Sequence, residues 1–152
     1  MKNRKCFITG IKGTNLHKKE IFFLKKYKPW GVILFSRNIK NINQTFKLTS
    51  SIRKIFKDKK YPILIDQEGG RINRLKNIIS FDNLTSQFFG DMYISDFKKF
   101  KFLYKLFVDK TSYLLKSIGA NINTTPVLDL RIKGSSSIIG DRSFSKSPKI
   151  VS

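Results

Sequence analysis

The sequence predicts an α/β chain in which parallel strands alternate with helical crossovers. Two short, continuously apolar runs, Val32-Ile33-Leu34-Phe35 and Pro62-Ile63-Leu64-Ile65-Asp66, read as strands buried on both faces. The segments between the runs carry apolar residues at helical spacing. A length of 152 residues, 40% apolar with 14 Phe, suits one domain with a sizeable core and is too apolar for a disordered chain.

Each element follows from local chemistry. Phe7–Ile11 is a β-rich run broken by glycine, and 17–27 places Ile21, Phe22 and Leu24 along a helix. Lys28-Pro29-Trp30-Gly31 ends that helix before the strand at Val32. Asn41 or Asn43 can cap a helix to about Phe56, with Phe46, Leu48, Ile52 and Ile55 inward. After the strand ending at Asp66, a long polar connection runs to about Asp91. A helix from about Ser95 to Ser117 then puts Phe97, Phe100, Leu103, Leu106 and Phe107 on one stripe. Gly119 ends it, and Asn121 to Leu130 reads as a fourth strand.

The pattern β-α-β-α-β-α-β fits an open doubly wound sheet or part of a closed barrel. The tail helps to choose. Ser147-Pro148 is a helix-start signal, yet the sequence stops at Ser152. The expectation is therefore a chain shortened at its C-terminus, covering the first half, about four strands, of a (β/α)8 barrel whose usual size is about 250 residues. Such a half would expose two strand edges and part of its apolar interior.

Charge is less decisive than it looks. The net charge is +21, with 24 Lys and 7 Arg against 10 acidic residues. A chain with one Ala, 20 Ile and 10 Asn is skewed toward residues with A- and T-rich codons. The lysines are scattered, which favours a solvated surface over a nucleic-acid groove. No apolar run is long enough to span a membrane, so no membrane contact is expected. One cysteine, Cys6, excludes an internal disulfide and a Cys-based zinc site, and a cytoplasmic location is expected.

The candidate site residues sit at strand ends. Asp66 follows Ile65 at the carboxyl end of a buried strand, where parallel α/β folds place ligand groups. Gly69-Gly70 permits a sharp turn, after which Arg71 and Arg74 offer planar donor forks to carboxylates or sugar hydroxyls. Gly140-Asp141-Arg142-Ser143-Phe144 is a second such place, and Asp129 ends the expected fourth strand. Asp66 and Glu68 could form a catalytic carboxylate pair, since alternate strand residues lie roughly 6.5–7 Å apart. Two side chains projecting in parallel clamp a substrate poorly, however. The reading favoured for Glu68 and Asp141 is pairing with nearby arginines to hold loops.

Four motifs in order, 31–38 (Gly-Val-Ile-Leu-Phe-Ser-Arg-Asn), 65–71 with Arg74, 125–129 (Thr-Pro-Val-Leu-Asp) and 140–144, closely resemble the N-terminal barrel of family 3 glycoside hydrolases. Within that family they are most similar to bacterial β-N-acetylhexosaminidases of the cytosolic cell-wall recycling type. The resemblance runs from about Phe7 to Ser152. It implies that Asp66, Arg74 and Arg142 bind a terminal N-acetylglucosamine, with Glu68, Arg71, Asp129 and Asp141 in support. It also implies retaining hydrolysis of peptidoglycan fragments through an Asp nucleophile and a loop His, without metal or organic cofactor. Those two catalytic groups are expected beyond Ser152, because no Lys-His-Phe-Pro-Gly-His-Gly-like segment occurs here. The sole histidine, His17, reads as a surface or helix-start residue, and Cys6 as inert. No catalytic residue is therefore expected within the 152 residues, which would bind sugar without turning it over. The competing readings are a non-catalytic binder of N-acetylglucosamine or muropeptides, and a basic nucleic-acid-binding protein.

Overall fold

The computed structural model describes residues 3–134 and 136–152; the first two residues of the basic N-terminal stretch lie outside it. Four strands, β1 (Lys5–Gly10), β2 (Pro29–Leu34), β3 (Ile63–Ile65) and β4 (Ile122–Asn123), form one sheet in the order β1-β2-β3-β4. All neighbours are parallel, as in Val32 opposite Ile63, Ile33 opposite Leu64 and Leu64 opposite Ile122. Consecutive strands lying side by side without a reversal of order distinguish successive barrel units from a doubly wound sheet. The chain is thus a parallel α/β half-barrel.

The crossovers are α1 (Lys18–Tyr27), α2 (Ile42–Phe56) and the pair α3 (Ser86–Ser95) and α4 (Phe97–Ser117); a final turn, α5, spans Pro148–Val151. Their starts are chemically marked. Asn41 accepts from the Gln44 amide at 2.8 Å, Thr85 from Phe88 at 3.0 Å and Asp96 from Lys99 at 2.9 Å. His17 precedes α1, its own amide donating to Glu20 at 2.9 Å, and Ser147 precedes α5. The core lies between the sheet and these helices: Val32, Leu34, Ile63 and Ile65 pack against Leu48, Ile52, Leu114, Leu115 and Ile118. Leu64, on the opposite face, is also buried, so β3 is enclosed on both sides.

Several expectations need correction. The region before Asp91 is not all loop, because Thr85 nucleates α3 there and Asp96 separates it from α4. The fourth strand is only Ile122–Asn123; Pro126 lacks an amide proton and restricts Thr125, so the ladder stops early. Phe46 points outward from α2 while Thr45 and Thr49 are buried, since the inward line is 45, 48, 49 and 52. Phe22 likewise faces solvent, leaving Leu24 as the buried residue of α1. On α4 the burial falls at Thr111, Leu114 and Leu115, whereas Phe97 and Leu106 are exposed. The first turns of this 21-residue helix pack on α3 through Phe89–Tyr104 and Tyr93–Phe100 ring contacts instead.

Candidate functional site

The site grows from the carboxyl end of β3. Leu64 shares its sheet face with Ile33 and Ile122, the face turned away from the helices, and alternation carries Asp66 onto that same face. Thr124, two residues beyond Ile122, arrives beside it, and its hydroxyl donates to Asp66 Oδ1 at 2.5 Å. Arg74 approaches the other carboxylate oxygen, Nη2 to Oδ2 at 3.4 Å. Asp66 is partly exposed, so its charge is held by these partners and by water rather than sealed away.

The Gly-Gly turn returns the arginines to that carboxylate. Gly69 and Gly70 have φ of 93° and 54°, and a Cβ at Gly69 would stand 2.3 Å from the Leu84 carbonyl oxygen. Ile72 donates to the Gly69 carbonyl at 3.1 Å, and Glu68 to that of Ile72 at 3.2 Å, which closes the loop. Gln67 fixes its far end: the Leu75 amide donates to Oε1 at 3.1 Å, while the Gln67 amide donates to Asn123 at 3.0 Å. Arg74 emerges over the Phe35 ring, 5.4 Å from its centroid. Its Nε is buried without a hydrogen-bond partner among the described residues.

The second loop is joined to the first by crossed ion pairs. Arg142 grips Glu68 with Nε and Nη2, both at 2.8 Å, and Arg71 Nε donates to Asp141 at 2.8 Å. Arg71 Nη2 also donates to the carbonyls of Ser137, Ile138 and Ile139, at 3.0, 2.8 and 3.1 Å. Arg71 is therefore a loop staple. The hydrogen bonds that Arg142 donates to Glu68, opposed by partial burial and reinforced by the charges of Glu68, Asp129 and Asp66, raise the pKa of its guanidinium above an already high range. The Glu68 side chain is only 7% exposed and both its oxygens accept from Arg142, so neither faces a substrate. The catalytic-pair reading for Asp66 and Glu68 fails on that geometry.

Asp129 requires a correction. It lies six residues beyond β4 rather than at a strand tip; its backbone carbonyl accepts the Ser143 hydroxyl at 2.6 Å, and its carboxylate acts on Arg142 through charge. Thr124, Gln67 and Phe35 were not singled out as site residues. Thr124 was findable, because strand alternation from Ile122 puts it on the Asp66 face. A cavity of about 340 Å3 adjoins this region, lined by Glu68, Phe89, Tyr104, Thr111, Asn123 and Pro126 among others. It lies beside α4 and is lined by none of Asp66, Arg74 and Arg142. No cluster of three or more side chains suited to a metal occurs among the described residues.

Comparison with known proteins settles the ancestry. Residues 8–152 match the profile of the glycosyl hydrolase family 3 N-terminal domain. The chain belongs to that family. It is 30% identical over 142 residues to a beta-hexosaminidase of Thioalkalivibrio sulfidiphilus, covering 93% of this chain and 40% of that protein. It is 33% identical over 146 residues to one from Hydrogenovibrio crunogenus, covering 96% of this chain and 40% of the relative. Among solved structures it resembles the NagZ of Neisseria gonorrhoeae (TM-score 0.84, 27% identity), over 97% of this chain and 44% of that one. Another structure of that NagZ holds N-trifluoroacetyl-D-glucosamine (TM-score 0.74, 27% identity, the same coverage). The family 3 chain thus spans about two fifths of the length of the curated relatives it matches.

Proposed function

We propose that Asp66, Arg74 and Arg142 form the sugar-binding part of a retaining β-N-acetylhexosaminidase, taking a terminal N-acetylglucosamine from peptidoglycan fragments. The observation that carries this reading is the meeting of Arg74 with Asp66 at 3.4 Å, beside a second arginine already oriented by Glu68. A carboxylate accepts from sugar hydroxyls, and the part-exposed guanidinium of Arg74 beside it can donate to a further sugar oxygen. Glu68, Arg71, Asp129 and Asp141 act in support, by fixing the two loops that present these groups. The beta-hexosaminidase relatives and the glucosamine derivative bound by NagZ support the sugar class.

Glycoside hydrolysis with retention needs a nucleophile and an acid/base, which these 152 residues do not supply. His17 is the N-cap residue of α1, where its amide donates to Glu20, and Glu68 is locked to Arg142. The chain alone is a binder, and turnover requires the two groups from elsewhere. A cytoplasmic setting fits the single exposed cysteine, Cys6. The test is paired: calorimetry with N-acetylglucosamine, and hydrolysis of an aryl N-acetyl-β-glucosaminide. Saturable binding without hydrolysis is expected; hydrolysis by the purified chain, or no binding, contradicts the reading.

A further inference from the structure

Helix α4 buries Thr111, Leu114 and Leu115 against the rest of the fold. At about 100° per residue, Phe102 lies half a turn around the helix from Thr111, nine residues on. It therefore faces directly away from the core. Tyr113 follows Phe102 by eleven residues, about three turns, and Leu106 follows it by four, so all three fall on one outward line roughly 16 Å long. Their exposures are 68% for Phe102, 57% for Leu106 and 64% for Tyr113. Phe102 and Tyr113 stand clear of the core, and Leu106 borders an apolar groove with Phe81, Leu84 and Phe88 while keeping more than half its surface exposed.

The flanks of that line are basic. Lys98, Lys105 and Lys116 lie along one side, and Lys99 and Lys110 along the other, with Lys101 further round. Asp109 is the sole acidic residue of α4 and is paired with Lys105 at 2.5 Å. Lys110 stands 5.8 Å from the Tyr113 ring. Asp109 falls beside Phe102 on that line, its charge offset by Lys105, and the ridge with its remaining ammonium groups matches an anionic lipid interface: the rings and Leu106 enter the headgroup–acyl boundary while the unpaired lysines meet phosphate. The ridge is convex, so it cannot enclose a small molecule. A net charge of +21 opposes a second copy of the chain.

We propose that the outer face of α4 is a peripheral docking surface for anionic phospholipid. This departs from the sequence expectation of no membrane contact, which rested on the want of a spanning segment; among the described residues no helix is long and apolar enough to cross a membrane. The proposal is independent of the sugar site, which occupies the carboxyl end of β3.

The experiment is flotation of the chain with phosphatidylcholine vesicles, with and without about 30 mol% phosphatidylglycerol. Binding is expected only to the anionic vesicles, weakening several-fold between about 50 and about 300 mM salt. Phe102→Ser with Leu106→Ser, which changes no charge, should weaken it about tenfold. Phe22→Ser removes an equally exposed ring from α1 and should leave binding unchanged. A second readout guards against a misfolded variant: in a Trp30→Phe background, Phe102→Trp should shift its emission to the blue on anionic vesicles. Failure to bind those vesicles, undiminished binding by the double variant, or an unshifted emission would overturn the proposal.

Discussion

Glu68 and Arg142, seventy-four positions apart in the chain, meet in a two-point ion pair with both contacts at 2.8 Å. The pair joins the loop after β3 to the 3-10 turn at Gly140–Arg142, and it brings Arg142 toward the carboxylate site. With the side chains only 7% and 22% exposed, removing one partner strands a charge that water reaches poorly. Glu68→Gln should cost about 2–3 kcal/mol. Thermal denaturation should show a midpoint lower by roughly 4–10 °C. An unchanged midpoint would mean the loops are held by other contacts.

Asp66 behaves oppositely. It is partly exposed and loosely paired, at 3.4 Å, with Arg74. Asp66→Asn should therefore change stability by less than about 1 kcal/mol. It should nevertheless weaken N-acetylglucosamine binding at least about tenfold, because a neutral amide accepts sugar hydroxyls less well. Calorimetry on both proteins checks the two halves; equal loss of stability and affinity would make Asp66 a structural residue.

Gly90 reverses an ordinary rule. Alanine at a helix-interior glycine usually stabilises by up to about 1 kcal/mol. At Gly90 of α3, however, an added Cβ would lie 1.8 Å from the Phe144 carbonyl oxygen. Gly90→Ala should destabilise by about 3 kcal/mol or more, read by urea denaturation. Neutral or positive stability would show that α3 and the 140–145 segment do not touch.

Tyr61 gives the alkaline limit. Its hydroxyl donates to the Pro29 carbonyl at 2.9 Å, and burial, opposed by the Arg4 charge, raises its pKa above the usual 10.0. A raised folded pKa contributes stability that is complete below pH 10 and lost as pH climbs toward the folded value. Burial raises Tyr104 in the same direction. Tyr61→Phe should be about 1 kcal/mol less stable at pH 7, with the gap narrowing above pH 10. A gap constant to pH 11 would contradict this.

Much of this was legible in the chain, for identifiable reasons. Val32–Leu34 and Ile63–Ile65 are apolar on both faces, so their burial in a parallel sheet could be read directly. Asn41 announces α2, and arginine pairing of Glu68 and Asp141 is readable from composition, but the partners are crossed between the two loops, Arg142 for Glu68 and Arg71 for Asp141. What stayed hidden depended on tertiary packing. The strand expected to reach Leu130 ends at Asn123, where Pro126 removes a ladder donor. Phe46 and Phe22 looked inward because periodicity counts apolar residues without knowing which turn meets the sheet. Alternation from Ile122 gives the face on which Thr124 lies, whereas its hydrogen bond to Asp66 depends on the register of β4 opposite β3.

The central claim is that Asp66, Arg74 and Arg142 receive one sugar. Amide chemical-shift mapping during titration with N-acetylglucosamine tests it most directly. Saturable shifts are expected at 66–74, 124 and 140–143, absent in Asp66→Asn. Shifts gathered instead along the cavity beside α4, or persisting in the variant, would contradict it.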